Sequence, residues 1–193
     1  MIAQSFKHKQ TGEFTITAES KHSAIIVMGV CGVGKTSVGR TLATRLHARF
    51  IEADDFHTKE NRDAMAQGFP LSDEMRLPWL KRLSSVAEEA RQSETVIMAC
   101  SALKRSYRDL LRDGIDNVQF VFLNGDRDII ADRIAKRVDH FMPVSLLDSQ
   151  IATLDLPTLD EHVLAVDVAP PMSIVDDIVE RTVRAKSIHH QTT

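Results

Sequence analysis

Short, unbroken apolar runs recur along the chain, and longer segments between them return an apolar residue every three or four positions. Ala24–Met28 is β-branched and lacks polar alternation, the pattern of a strand buried on both faces. Comparable runs at Phe50–Ala53, Thr95–Ala99, Val118–Leu123 and His162–Val168 predict four more strands. Thr36–Ala48 spaces Val38, Leu42 and Leu46 four apart, which predicts a helix. Glu74–Gln92 places Leu80, Leu83 and Ala87 on one helical face. Leu103–Arg112, Arg127–Arg137 and Ile174–Lys186 read the same way, and a shorter helix contains Asn61 and Met65. Strands alternating with helices predict an α/β fold, a five-stranded parallel sheet with helices on both faces. Such sheets bind ligands beyond the carboxyl ends of their strands. The residues that follow each strand therefore carry the functional expectation.

Residues 1–22 are polar and read as an N-terminal extension, with Glu13–Thr17 at most a short edge strand. Residues 23–187 read as a single domain and 188–193 as a tail, with no repeat or long linker to divide them. The 193 residues can bury one continuous core without disulfides or a structural metal. The 24 Lys and Arg against 27 Asp and Glu leave a net charge of −3, which argues against a broad nucleic-acid surface. Cys31 and Cys100 fit neither a disulfide framework nor a zinc spacing, so a reduced, intracellular setting is expected. No segment approaches the roughly 18 consecutive apolar residues of a membrane span. The expectation is a soluble, cytoplasmic protein with no membrane or nucleic-acid partner.

Directly after the first strand stands Gly29-Val30-Cys31-Gly32-Val33-Gly34-Lys35-Thr36. This is G-x-x-x-x-G-K-[ST] in the strand–loop–helix setting its mechanism needs. Glycines let the backbone curl so that successive N–H groups face phosphate oxygens, and the helix that follows adds the positive end of its dipole. Lys35 is expected to reach the β- and γ-phosphates of a nucleoside triphosphate, and the Thr36 hydroxyl to ligate Mg²⁺. Cys31 reads as a small side chain fitting a crowded turn rather than a reactive thiol.

Four segments offer an acceptor side. Glu52-Ala53-Asp54-Asp55-Phe56-His57 follows the second strand, where carboxylates can hold Mg²⁺ through water or take a proton from an attacking hydroxyl. Asp54 or Asp55 can equally cap the helix containing Asn61, and His57 can be a capping residue or a ligand contact. Ser72 or Asp73 caps the next helix, Trp79 reads as core, and Arg76 lies in the first turn against the helix dipole. That conflict points to an anionic partner or to a surface salt bridge. Ser101 after the third strand can cap the helix that carries Lys104 in its first turn. Arg133 and Arg137 lie four apart on one helical face, leading into the irregular Val138–Pro143. They fit a lid closing over a nucleotide, or a solvent-facing helix paired with Asp128 and Asp132.

Together these segments resemble the gluconokinase family of small P-loop kinases, related to shikimate and nucleoside-monophosphate kinases. The resemblance runs from about Ser23 to Lys186. It rests on Met28–Thr36, Asp54 with His57 and Asn61, Pro70–Asp73 with Arg76, Pro78-Trp79-Leu80, and Cys100–Lys104. Tyr107-Arg108-Asp109, His140-Phe141-Met142 and Leu147 with Gln150 complete it. It implies a P-loop NTPase fold like that of nucleoside-monophosphate kinases, with a small lid near residues 133–145. It also implies phosphorylation of D-gluconate to 6-phospho-D-gluconate by ATP and Mg²⁺ in a cytoplasmic homodimer. Carried over by residue, it implies Asp54 at the acceptor hydroxyl and His57, Arg76, Ser101 and Lys104 as sugar-acid contacts. The phosphates are expected on the amides of Gly29 to Gly34, and the adenine between Arg133 and the turn Ala169-Pro170. Lys35 and Arg137 are expected to offset the charge of the transferring phosphoryl. The family often has Ser at Cys31, Gly at Ala53, Pro at Thr58, and a more basic, Gly-containing approach to His140 than Val138-Asp139. The glycine triplet that shikimate kinases place after the third strand is absent, and Cys100-Ser101-Ala102 stands there.

Overall fold

The computed structural model describes residues 22–136 and 144–189. Five strands form one parallel sheet: β1 (Ala24–Met28), β2 (Arg49–Glu52), β3 (Val96–Ala99), β4 (Val118–Asn124) and β5 (Leu164–Asp167). Their spatial order is β2-β3-β1-β4-β5, with Ile26 of β1 registered between Met98 and Phe120. The central β1 is buried along its whole length, as its unbroken apolar run requires.

Period-two alternation sends β1 side chains into two separate cores. Ile25 and Val27 pack with α1 (Lys35–Leu46) and α7 (Met172–His189) through Val38, Leu42, Val175 and Val179. Ala24, Ile26 and Met28 pack with α3 (Asp73–Arg91) and α4 (Arg105–Gly114) through Trp79, Leu80, Leu83, Tyr107 and Leu111. Three further helices, α2 (Lys59–Ala66), α5 (Arg127–Ala135) and α6 (Val144–Thr153), lie at the carboxyl ends of the strands or beside the first core. Among the described residues no helix is long and apolar enough to cross a membrane.

The expected elements form, with shifted ends that have local causes. β5 begins at Leu164 rather than His162, because Thr158 and Glu161 close a capping box around a 3₁₀ turn and leave His162 at φ 52°. That left-handed backbone cannot join an extended strand. α4 starts at Arg105 with Lys104 as its N-cap residue, after Ala102 at φ 42°, so Ser101 does not cap it. α2 is capped by Thr58, whose hydroxyl accepts from Asn61 N at 3.2 Å, and not by Asp54 or Asp55. α6 was not expected from the pattern: Leu146 and Leu147 are buried while Ile151 on the same helix is exposed, which blurs the periodic signal. The expected edge strand Glu13–Thr17, Arg137 and His140-Phe141-Met142 lie outside the described residues.

Candidate active site

The loop between β1 and α1 takes backbone conformations that only its glycines allow. Gly29 has φ 140° and Gly32 φ 78°. A Cβ on Gly29 would stand 2.6 Å from the Leu123 carbonyl oxygen, and one on Gly32 2.4 Å from Ile134 Cγ1. The loop is therefore a tight cradle of backbone, and α1 opens from it with no side-chain cap and no acidic residue in its first turn. Uncapped amides at the start of a twelve-residue helix form an anion site. Lys35 Nζ donates to the Val30 carbonyl at 2.9 Å, which folds the ammonium back over the loop. Gly29 N donates to Ser101 O at 3.3 Å, tying the loop to the end of β3, and Cys31 N donates to Gln150 Oε1 of α6 at 2.7 Å. Cys31 is buried in the turn as a small side chain, and burial pushes the Cys100 thiol up to about 12, so it is inert at neutral pH.

Carboxylates gather beside this cradle at the end of β2. Glu52 accepts a hydrogen bond from Thr36, and burial raises its carboxyl above the ordinary range despite that bond and the nearby Lys35 charge. Asp54 lies in a 3₁₀ turn (Ala53–Phe56) with its side chain 58% exposed. The Thr36 hydroxyl with Glu52 and Asp54 is an all-oxygen donor set of the kind Mg²⁺ takes. Among the described residues no group of three His, Cys, Asp or Glu is arranged to hold a metal ion.

The turn bearing Asp54 is held from behind. Trp79 Nε1 donates to Ala53 O at 2.9 Å, and the Trp79 ring stacks on His57 with centroids 4.2 Å apart at 14°. His57 is buried, and its Nε2 stands 3.8 Å from Asp54 Oδ1. Burial lowers its pKa, the Asp54 charge opposes that shift, and Arg76 and Arg62 reinforce it. The ring is thus neutral at pH 7 and supports Asp54 rather than competing for its charge. Its Nδ1 is buried with no hydrogen-bond partner among the described residues.

Arg76 projects from the first turn of α3, which Ser72 caps by accepting from Met75 N at 3.4 Å. The guanidinium lies 5.8 Å from the Tyr107 ring centroid and 3.5 Å from its hydroxyl, and it makes no ion pair among the described residues. A direct salt bridge therefore does not account for its position among the described residues. Lys104, by contrast, donates to both oxygens of Asp73 at 2.8 Å, and Tyr107 donates to the same carboxylate. Of the two expected cations, Lys104 is bonded to Asp73, and Arg76 acts on that carboxylate only at longer range.

At the other side of the cradle, Arg133 does not face solvent. It donates to the Val168 carbonyl at 2.5 Å, which brings it to the turn holding Ala169 and Pro170. Asp128 and Asp132 pair with Arg127 and Lys136 instead. The remaining Arg133 Nη1 is buried and has no hydrogen-bond partner among the described residues.

The chain is 43% identical to the thermosensitive gluconokinase of Escherichia coli K12 over 164 residues, which covers 84% of this chain and 88% of that one. It belongs to the gluconokinase family. The shikimate kinase family model also matches residues 31–181, which places the family among the small P-loop kinases. In solved structures, a gluconokinase from Sinorhizobium meliloti is similar with a TM-score of 0.78 and 40% identity, covering 89% of this chain and 98% of that one. An unliganded sugar kinase from Janibacter has the same TM-score at 42% identity, covering 82% and 92%.

Within this gluconokinase-family site, four side chains make contacts to which sequence reasoning assigns no specific role. Glu52 stands in the acidic segment after the second strand, and in the structure it ends β2. Asp73 reads as a cap, and Tyr107 enters only as a carrier of the family resemblance. Gln150 enters in the same way, on a helix that the pattern does not reveal. For Tyr107, a spacing signal existed: Lys104 and Tyr107 are three apart, so both meet Asp73 from one face of α4.

Proposed function

We propose that this chain transfers the terminal phosphoryl group of ATP to the primary hydroxyl of D-gluconate, giving 6-phospho-D-gluconate. The observation that carries this reading is Arg76, a guanidinium with no direct ion pair among the described residues, whose charge is felt at His57 together with that of Asp54. A monoanionic polyol acid needs one cation for its carboxylate and one carboxylate near its reacting hydroxyl, and this crevice offers both. The gluconokinase names of the relatives support the same acceptor.

In this reading the amides of Gly29 to Gly34 and the start of α1 hold the phosphates, and Lys35 and Thr36 bind at their outer end. Thr36, with Glu52 and Asp54 through water, would hold Mg²⁺, which would offset charge on the phosphate oxygens. Arg76 takes the gluconate carboxylate in bidentate geometry. Asp54 orients the far hydroxyl and receives its proton as the oxygen attacks, while neutral His57, fixed on Trp79, holds the Asp54 turn in place. Arg133 and Pro170 take the adenine, and Arg137 joins Lys35 in offsetting the phosphoryl charge. Ser101 and the Asp73–Lys104 pair meet the polyol hydroxyls. The reading includes a cytoplasmic homodimer, for which the family resemblance is the support.

The test is purified protein with MgATP and a panel of sugar acids, shikimate and nucleoside monophosphates, coupled to ADP release. Turnover with gluconate well above the rest is expected. Preference for shikimate or a nucleotide acceptor overturns the assignment.

A further inference from the structure

The peptide between Val30 and Cys31 is gripped on both sides. Its carbonyl accepts from Lys35 Nζ at 2.9 Å, and its N–H donates to Gln150 Oε1 at 2.7 Å from a side chain 119 positions away. In a trans peptide the C=O and N–H point in opposite directions, so the two partners lie on opposite sides of the loop. Gln150 is thus the far end of a hydrogen-bond chain that begins at the ammonium: Lys35 to Val30 C=O, through the peptide, to Gln150. Bonds in such a chain polarise one another.

The Val30 carbonyl also accepts from Val33 N at the longer distance of 3.5 Å, and Val30 and Cys31 are buried in the core beneath α1. The peptide lies between Gly29 and Gly32, both with positive φ, so its flanks keep the conformational freedom of glycine. Val30 also borders a cavity of about 310 Å³, lined by Leu123, Ile130, Ile151 and Leu154 among others. Gln150 stands on a packed helix. Leu146 and Leu147 of α6 are buried, and Asp148 is held by Arg127 at 2.7 and 3.1 Å. An acceptor on an anchored helix therefore holds a peptide flanked by glycines.

We infer that Gln150 is a positioning residue for Lys35: by fixing the Val30–Cys31 peptide it sets where the phosphate-binding ammonium stands. It acts through the loop, on the side away from Lys35, and does not touch the nucleotide. The inference rests on the P-loop reading above and is independent of which acceptor is used.

Two variants test it. Gln150→Leu removes the acceptor, and Gln150→Glu keeps an oxygen at the same reach for the Cys31 N–H. Binding of a non-hydrolysable ATP analogue, measured by calorimetry without any acceptor, is expected to weaken on the order of ten-fold in Gln150→Leu. Gln150→Glu is expected to return to within about three-fold of the parent, and kcat is expected to follow the same order. Thermal unfolding of both variants reports that they fold. Parent-like binding by Gln150→Leu overturns the inference. So does a Gln150→Glu weaker than Gln150→Leu, because a retained acceptor for the Cys31 N–H would then not restore the loop. If the parent binds the analogue but phosphorylates no gluconate, the acceptor assignment fails and the role of Gln150 still stands on the binding result.

Discussion

Arg76 occupies the first turn of α3, where the helix N-terminus opposes a cation by about 0.3–1 kcal/mol. No carboxylate among the described residues pairs with it directly. Lys104 on the facing helix is bonded to Asp73 and lowers that carboxyl most, and the Arg76 charge adds to the lowering at longer range. A cation kept at a cost without a direct ion pair is open to a ligand. Arg76→Lys retains the charge but loses the planar fork, so the Michaelis constant for gluconate should rise on the order of ten-fold while that for ATP stays unchanged. Steady-state kinetics with each substrate varied will check this, and equal rises in both constants would put the gluconate carboxylate elsewhere. Asp54 is tested separately. Asp54→Asn keeps the shape of the turn that Trp79 and His57 support, but it cannot take a proton. ATP binding by calorimetry should persist while kcat falls by roughly 10²–10⁴. A mutant with near-parent turnover would reduce Asp54 to a structural member of its 3₁₀ turn.

At the scale of elements, the carboxyl end of the sheet is closed by a buried ion pair. Arg108 of α4 and Glu161 of the turn before β5 are 0% and 1% exposed, joined at 2.6 and 2.8 Å. Arg108 also donates to the carbonyls of Leu103 and Asp155 at 3.0 Å, so it fastens the segment after α6 onto the end of β3. The Arg108 guanidinium holds the Glu161 carboxyl down at about 2, against an ordinary value of 4.5. A carboxyl with a lowered folded pKa stabilises the fold above its unfolded value and loses that contribution as pH falls through its folded one. Part of the stability should therefore disappear between about pH 4.5 and about pH 2. Glu161→Gln should lack that part of the acid slope and lose about 3–5 kcal/mol at neutral pH, because Arg108 stays buried without its counter-charge. Urea unfolding across pH will check both. This pair also marks where sequence reading stops. β1, its phosphate loop and α1 were legible because their signals are contiguous: an apolar run, fixed glycine spacing, then period-four apolar residues. The burial of Arg108 leaves no signal in the sequence because its partner is 53 positions away. α6 hid for the same reason, since its buried leucines gain meaning only against Val30 and Leu123, which other strands and loops supply. The cation after β3 was legible as Lys104, but only the fold shows that Asp73 already holds it and that Arg76 has no direct ion pair among the described residues.

At the scale of the whole molecule, the two cores meet at the phosphate loop. Val30, Cys31 and Val33 belong to the core beneath α1 and α7, while Cys100 and Ala102 after β3 belong to the core beneath α3 and α4. Gly29 N to Ser101 O joins the two at the strand ends. A ligand bound there braces both layers at once, so nucleotide binding should appear in global unfolding rather than in a local event. Mass action sets the size: ligand at 100 times its dissociation constant contributes about 2.7 kcal/mol. For a chain of this length each kcal/mol shifts Tm by roughly 2–4 °C, which gives an expected rise of about 5–11 °C with saturating MgATP. Lys35→Ala gives the control that ties this rise to the loop. In the unliganded protein the Lys35 ammonium donates to one carbonyl on a half-buried surface, so the variant should unfold close to the parent temperature. A ten-fold loss of affinity would cut the ligand term at the same MgATP concentration to about 1.4 kcal/mol, and the rise in Tm to about half. Calorimetric scans of both proteins with and without MgATP decide the matter. A full-sized shift in Lys35→Ala would place the nucleotide's stabilising contacts away from the loop.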